Sequence, residues 1–130
     1  MCGIMGCVGR SDVRDVVLNG LARQEYRGYD SAGVALRCGD KIKNIRIVGR
    51  VSELRKRVAE SGDEPALSGI AHTRWATHGG VTVTNAHPHE SADGKIFLLH
   101  NGIVENGGDI RERLEAEGIA FLSETDTESA

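Results

Sequence analysis

The sequence predicts an α+β domain, in which antiparallel strands form a sheet and helices gather on its outer faces. Short apolar runs of strand length outnumber segments of helical periodicity by about six to three. The runs at 32–38 and 41–48 are joined through Gly39 and Asp40, residues typical of a tight hairpin turn. Helical and strand segments follow one another in mixed order, without repeats or low-complexity tracts, and this order favours a layered domain.

Length and composition are those of one globular domain. The chain has 130 residues, 39% hydrophobic and 27% charged, and its 17 glycines against two prolines indicate tight turns rather than disorder. The net charge is −3, and the densest basic run, at 55–57, has no interleaved aromatic residues, so nucleic acid is not an expected partner. No apolar run reaches 18 residues and no signal peptide is recognisable, so we expect a soluble, cytoplasmic protein without membrane contact.

The first third of the chain is expected to hold a strand, a helix and a loop. Residues 3–9 alternate small and apolar side chains, typical of a buried strand whose glycines allow close backbone approach. Ser11 or Asp12 can cap the helix that follows. Its apolar residues recur at helical spacing: Val13, Val16, Val17, Leu18 and Leu21. The segment 25–31 breaks this pattern as a loop before the hairpin.

A second helix is expected over 52–61, where Gly62 ends it. A strand is expected over 67–73. Residues 74–94 are polar and rich in Gly, Thr, Asn and His, a composition typical of binding loops.

The last part of the chain predicts a strand over 95–100, a helix over 109–118 and a short strand over 119–123. Asp109 is expected to cap this helix. Its inward-facing residues are expected to be Ile110 and Leu114.

The cysteines and histidines do not predict a structural metal site. Three cysteines at unpaired spacing indicate reduced thiols, and the five histidines lack the closely paired spacing of zinc ligands. No G-x-G-x-x-G follows a strand and no G-x-x-x-x-G-K-[ST] occurs, so we expect no nucleotide, no metal and no other cofactor. A metal-binding protein that uses these histidines is the alternative.

Cys2 has chemistry from its position. Methionine before a small residue is commonly removed, which leaves a thiol and an α-amine on one residue. An ordinary thiol has a pKa of about 8.5 and is mostly protonated at neutral pH, whereas an α-amine titrates at about 7.7–8.0 and can serve as the base. By its position alone, Cys2 is equally well explained as a nucleophile and as a small residue that begins a buried strand. Other motifs must therefore decide between the two interpretations.

Six motifs occur in order along the chain: "MCGI", "YRGYDSAG", "HTRWATHG", "NAHPH", "HNG" and "SETDTE". Together they resemble the class II, N-terminal-nucleophile glutamine amidotransferases. The second and third favour the branch of the glutamine:fructose-6-phosphate aminotransferases (isomerising). The resemblance implies a four-layer sandwich, two antiparallel sheets between helical layers. It also implies that 1–130 is the front part of such a domain, so that the sandwich is incomplete and the sugar-phosphate isomerase domain is absent.

The resemblance implies a role for each matched residue. Cys2 is the nucleophile, and the Asn101 amide with the Gly102 N–H stabilises the oxyanion. Arg74 pairs with the α-carboxylate of glutamine and Asp126 with its α-ammonium. From the residues alone, Asn101-Gly102 is also a hairpin-turn dipeptide, Arg74 a possible surface arginine and Asp126 a possible helix cap.

Five further residues have implied lesser roles. Thr77 and His78 add polar contacts to the substrate, and Arg27 holds the region of the amino-terminal cysteine. Trp75 resembles a residue that gates the passage of ammonia, but a half-buried anchoring aromatic fits as well. His87 orders the pocket loop or caps it.

The implied partners are L-glutamine and a sugar-phosphate isomerase domain or chain that acts on fructose 6-phosphate, with a homodimer for the full-length enzyme. Two alternatives remain open. One is a catalytically silent module that binds glutamine or docks to a partner. The other is a related class II enzyme such as glutamine phosphoribosylpyrophosphate amidotransferase.

Overall fold

A computed structural model of the chain describes residues 1–76 and 79–130. Its main element is a four-stranded antiparallel sheet of β1 (Gly3–Val8), β2 (Ser31–Cys38), β3 (Lys41–Val48) and β4 (Ser68–Arg74). The spatial order of these strands is β1-β4-β2-β3. β2 and β3 form the predicted hairpin, with Gly39 at a φ of 58° in its turn. A smaller sheet pairs the two-residue strands β5 (His89–Glu90) and β6 (Phe97–Leu98).

The described part of the chain has three α-helices, α1 (Arg14–Gln24), α2 (Val51–Glu60) and α3 (Gly107–Ala116). Short 3₁₀ turns follow α1 at Glu25–Arg27 and end the chain at Asp126–Ser129. Antiparallel sheets combined with these helices match the predicted α+β class. Within the described residues the longest helix has 11 residues, which is too short and too polar to cross a bilayer.

The core lies between α1, α2 and one face of the main sheet. Because strand side chains alternate between faces, every second residue of β2 points toward the helices. The buried apolar residues that meet there include Val17, Leu18 and Leu21 of α1, Ala32, Val34, Leu36 and Cys38 of β2, and Val51, Leu54 and Val58 of α2. The apolar residues predicted for the helices therefore form one side of the core. Val16 is an exception, since it is 51% exposed.

The other face of the main sheet carries both polar and apolar residues, and the backbone at His87, in the loop before β5, rests on it at one point. Gly33 of β2 lies on this face, between His72 of β4 and Arg46 of β3 in the strand register. A Cβ added at Gly33 would lie 2.0 Å from the His87 carbonyl oxygen. The missing side chain thus lets the backbone of this loop rest directly on the sheet.

We expect Gly33→Ala to destabilise the fold by about 3 kcal/mol, because the added methyl collides with a backbone atom that cannot rotate away. Urea unfolding measures the change. Gly6→Ala is the matched control. Gly6 lies on the same face of β1, and its nearest contacts would be ordinary ones of 3.9 Å, so its effect should stay below about 0.5 kcal/mol. Equal effects of the two variants would contradict the close approach at Gly33.

Two predicted strands are wrong in extent. Residues 119–123 form no strand, because the N–H groups of Leu122 and Ser123 donate to the Glu128 carboxylate, at 2.8 and 2.6 Å, instead of to a neighbouring strand. The strand predicted over 95–100 is limited to Phe97–Leu98, since the partner strand β5 offers only two residues to pair with.

Two predicted helix caps also differ. α3 begins at Gly107 with Asn106 at the N-cap, and no side chain caps it, so Asp109 lies in the first turn. A carboxylate there still faces the positive end of the helix. α1 begins at Arg14 with Val13 at the N-cap and no side-chain cap, so neither Ser11 nor Asp12 is the cap, although Asp12 Oδ1 accepts the Arg14 N–H at 3.1 Å.

Candidate active site

Cys2 lies directly before β1, at the end of the sheet where β4 finishes. Its Sγ accepts a hydrogen bond from the Trp75 N–H at 3.2 Å. Ahead of it, the α-ammonium of Met1 donates to the Arg27 carbonyl at 2.9 Å, and Met1 itself is 76% exposed. While Met1 is present, the nitrogen of Cys2 is a peptide amide and cannot act as a base.

Arg27 and Trp75 contact this region through their backbones. The Arg27 carbonyl receives the terminal ammonium, while its guanidinium carbon lies 5.8 Å from the ring centroid of Tyr26. The Trp75 indole is 53% exposed and covers Gly28, where an added Cβ would lie 2.8 Å from the indole Cε3. The sulfur of Cys2 is therefore oriented by a backbone N–H, and the indole forms part of the rim.

Asn101 brings its amide to the same place. Its Nδ2 donates to the Cys2 carbonyl at 3.1 Å, and its Oδ1 lies 2.6 Å from His72 Nε2. Gly102 packs against His100, so closely that an added Cβ would lie 2.6 Å from the His100 Nε2. The expected oxyanion donors thus lie beside the expected nucleophile.

Arg74 and Asp126 approach this site from two sides. Arg74, the last residue of β4, is 4% exposed and donates to the Gly80 carbonyl at 3.0 Å. Asp126 opens the final 3₁₀ turn, and its Oδ2 accepts the Val104 N–H at 2.7 Å. Opposite charges on one cavity are what an amino-acid zwitterion requires.

A single small cavity joins most of the predicted site residues. It has a volume of about 60 Å³, below the about 300–1,000 Å³ of ordinary small-molecule pockets, so it accommodates only part of a ligand. The predicted residues that line it are Cys2, Arg74, Trp75, His87, Asn101, Gly102 and Asp126. Within the described residues, Arg27 touches the site through Met1. Thr77 and His78 lie outside the described residues.

Three buried histidines form a row behind this cavity. The ring centroids of His72 and His87 are 4.4 Å apart, those of His87 and His89 are 4.6 Å apart, and His89 Nε2 lies 2.7 Å from Thr125 Oγ1. Burial lowers the pKa of His72 and of His89 to about 4 and that of His87 to about 2, where the neighbouring His72 contributes further. All three are therefore neutral at pH 7. Among the described residues, no three His, Cys, Asp or Glu side chains are grouped to hold a metal ion.

A second polar cluster fixes the segment that carries Asp126. Glu124 Oε2 accepts hydrogen bonds from Asn85 Nδ2 at 2.8 Å and from the Gly80 N–H at 3.0 Å, and Asn85 Oδ1 accepts the Glu124 N–H at 2.8 Å. These hydrogen bonds lower the pKa of Glu124, the Gly80 contact most. The end of the chain is thus tied to the loop that follows Arg74.

Sequence reasoning missed His72, Asn85, Glu124 and Thr125 as residues that build this site. His72 does leave a signal, since a histidine inside the predicted strand "LSGIAHT" is a polar group that needs a partner once it is buried. The other three leave none, because their partners lie 36 to 44 positions away along the chain.

The chain is similar in sequence and in fold to known enzymes. No protein-family model matches the chain. The chain is 54% identical over 128 residues to glutamine--fructose-6-phosphate aminotransferase [isomerizing] of Thermus thermophilus, and 48% identical over 136 residues to the protein of that name from Corynebacterium glutamicum. These matches cover 98% and 100% of the chain, but the chain spans only about a fifth of the relatives' length, 21% and 22%.

Solved structures show the same fold. Glutamine phosphoribosylpyrophosphate (PRPP) amidotransferase from B. subtilis, complexed with ADP and GMP, superimposes with a TM-score of 0.81 at 25% identity, covering 99% of this chain and 28% of that one. A structure described as the allosteric regulatory enzyme of purine biosynthesis gives a TM-score of 0.82 at 26% identity, with the same coverage. By sequence and by fold, this chain belongs with the class II, N-terminal-nucleophile glutamine amidotransferase domains, on the branch of the glutamine:fructose-6-phosphate aminotransferases.

Proposed function

We propose that this chain carries the glutaminase half-reaction of such an enzyme, with Cys2 as the nucleophile. The observation that carries the proposal is the contact between Asn101 and Cys2, which places an amide donor on the residue that bears the thiol. Removal of Met1 is required, because only then does Cys2 offer a free amine. The 76% exposure of Met1 leaves it accessible to such processing.

The reaction then proceeds in two balanced steps. The Cys2 α-amine takes the thiol proton, directly or through water, and the sulfur attacks the side-chain carbonyl carbon of glutamine. The C–N bond breaks, ammonia leaves with that proton, and a γ-glutamyl thioester remains. Water attacks the thioester, glutamate leaves, and the thiol is restored. The Asn101 amide and the Gly102 N–H stabilise the oxyanion in both steps, and such a donor contributes about 3–4 kcal/mol of barrier lowering.

Substrate binding follows from the charges around the cavity. Arg74 pairs with the α-carboxylate and Asp126 with the α-ammonium, while Thr77 and His78 contribute polar contacts and His87 orders the loop. Support comes from the position of Arg74 and Asp126 on one cavity with Cys2. Arg27 holds the region of the amino-terminal cysteine in this proposal, and its carbonyl binds the terminal ammonium of the unprocessed chain. Trp75 covers the rim through which ammonia leaves.

The wider assignment rests on the relatives. We propose that residues 1–130 are the front part of the amidotransferase domain, and that the ammonia serves a sugar-phosphate isomerase domain or chain that converts fructose 6-phosphate. The full-length enzyme is a cytoplasmic homodimer in this proposal. A phosphoribosylpyrophosphate acceptor is the second candidate. The solved structures favour this second candidate, but their identity to the chain is 25–26%. The aminotransferase relative is 54% identical, which favours the first candidate.

Glutamate and ammonia release from glutamine tests the half-reaction, with the mass of the intact chain measured in the same sample. We expect turnover only where Met1 is absent. A chain extended by a few residues before Met1 is the matched control, since its fold is kept but the amine is blocked. A processed, folded chain that binds glutamine without releasing ammonia would establish the catalytically silent module instead.

A further inference from the structure

We propose that His72 is a positioning residue, whose Nε2–H holds the Asn101 amide with its NH₂ group turned toward Cys2, and that His87 fixes His72 in this tautomer. The proposal rests on the proposed function for its catalytic part. His72 lies on the polar face of β4, is 1% exposed, and places Nε2 2.6 Å from Asn101 Oδ1. Its Nδ1 lies 3.3 Å from His87 Nδ1.

The direction of every hydrogen bond in this chain of contacts follows from one atom, the carbonyl oxygen of Cys2. A carbonyl only accepts, so the Asn101 atom 3.1 Å from it must be the NH₂ nitrogen. The amide oxygen of Asn101 therefore faces His72, and His72 Nε2 must carry a hydrogen to donate to it. The opposite rotamer of the amide would bring two oxygens face to face at the Cys2 carbonyl.

The tautomer of His87 follows in the same way. With hydrogen on Nε2, a neutral His72 has a lone pair on Nδ1, so His87 must donate from its own Nδ1. His87 Nε2 is then an acceptor, and it is buried without a hydrogen-bond partner among the described residues. The last atom of this chain of contacts is therefore an acceptor with an unused lone pair. An unused buried lone pair costs less free energy than a buried N–H without an acceptor. Burial keeps both rings neutral, as their lowered pKa values of about 4 and about 2 indicate.

This arrangement matters to catalysis because an asparagine amide is a two-faced group. If the contact from His72 is lost, the amide can turn by half a rotation and present its oxygen where negative charge develops. The donor is then replaced by a repelling dipole in part of the molecules. The full value of one oxyanion donor, about 10²–10³-fold in kcat, sets the upper limit of the loss.

Two variants separate positioning from packing. His72→Phe keeps a ring of similar size without a donor, and we expect kcat for glutamine hydrolysis to fall about 10–100-fold with KM within about twofold. His72→Gln can place an amide N–H near the same point, and we expect kcat within about fivefold of the parent. Equal losses in both variants, or an unchanged kcat in His72→Phe, would overturn the positioning role.

A double-mutant cycle tests the route of action. When His72→Phe is added to Asn101→Ala, we expect kcat to fall by less than about a further twofold, because the amide that His72 positions is already absent. Additive losses would show that His72 acts independently of Asn101, which contradicts the proposal.

The closing measurement needs no activity. Long-range ¹H–¹⁵N NMR of the imidazoles in the unmodified chain reports the tautomers, and we expect Nε2–H on His72 and Nδ1–H on His87 throughout pH 6–8. The reverse tautomers overturn the proposal whatever the activity. If the tautomers are as expected but the processed chain releases no ammonia from glutamine, the proposed function fails and the catalytic part of this inference fails with it, while the positioning of the Asn101 amide stands.

Discussion

Replacing Cys2 by alanine is expected to abolish glutamine hydrolysis, with a fall of at least about 10⁴-fold in kcat. The reason is that the thioester needs the sulfur, and no other thiol of the described chain lines the cavity that contains Asn101. Cys38 is 1% exposed within the core, and Cys7 lies five residues farther along β1. Ammonia release measures the loss, and a glutamine-like diazoketone followed by mass spectrometry measures the labelling of the nucleophile.

Cys2→Ser and Cys7→Ser serve as the matched variants. Serine at position 2 keeps an atom that can accept the Trp75 N–H but provides no thiolate, so we expect glutamine to bind within about threefold of the parent affinity without turnover. Cys7→Ser should keep full labelling and turnover. Labelling that survives Cys2→Ala, or turnover above about 1% of the parent value, would remove Cys2 from the reaction.

The secondary structure was largely predictable, because local pattern decides it. α1 and α2 show the 3.6-residue period that buries Leu21 and Leu54, and the hairpin shows its turn residues. The failures occur where the partner of a segment is a side chain or a very short strand instead of a full strand. Residues 119–123 are apolar enough for a strand, but the Glu128 carboxylate takes the N–H groups that a strand would use.

The site was predictable only in part. Motifs in the sequence marked Cys2, Asn101, Arg74 and Asp126, and the structure gathers these four around one cavity. The residues behind the cavity were not predictable, because their contacts depend on strand register and on loop placement. Gly33, directly opposite His72 in the register, leaves room for the loop that carries His87, and this placement brings His87 against His72.

That histidine row has a consequence for the stability of the whole fold, which we expect to fall steeply as the pH decreases from 6.5 to 5. His72, His87 and His89 are each at most 6% exposed, and their folded-state pKa values of about 4, 2 and 4 lie below the ordinary value of about 6.5. Above pH 6.5 both folded and unfolded chains carry neutral rings. Below it the unfolded chain binds protons that the folded chain rejects, so unfolding is favoured.

The expected slope is large. Each histidine contributes up to about 1.4 kcal/mol per pH unit below pH 6, so the three together contribute up to about 4 kcal/mol per pH unit. Between pH 6.5 and 5 the loss therefore reaches up to about 6 kcal/mol, a large part of the about 5–15 kcal/mol of stability that domains of this size have. The carboxylates with lowered pKa values, Asp12, Asp93, Glu124 and Glu128, act in the same direction, but only as the pH falls toward and below their ordinary values near 4.

Urea unfolding at pH 7, 6, 5.5 and 5 measures this slope, provided that the dependence on denaturant stays constant. His89→Gln is the informative variant, because glutamine can still bond to Thr125 Oγ1 but cannot take up a proton in this range. We expect its slope to be about one third lower than that of the parent chain. An unfolding free energy that is flat from pH 7 to 5 would mean that the three rings accept protons within the folded state, and that the neutral tautomers on which the orientation of Asn101 depends are not enforced by burial.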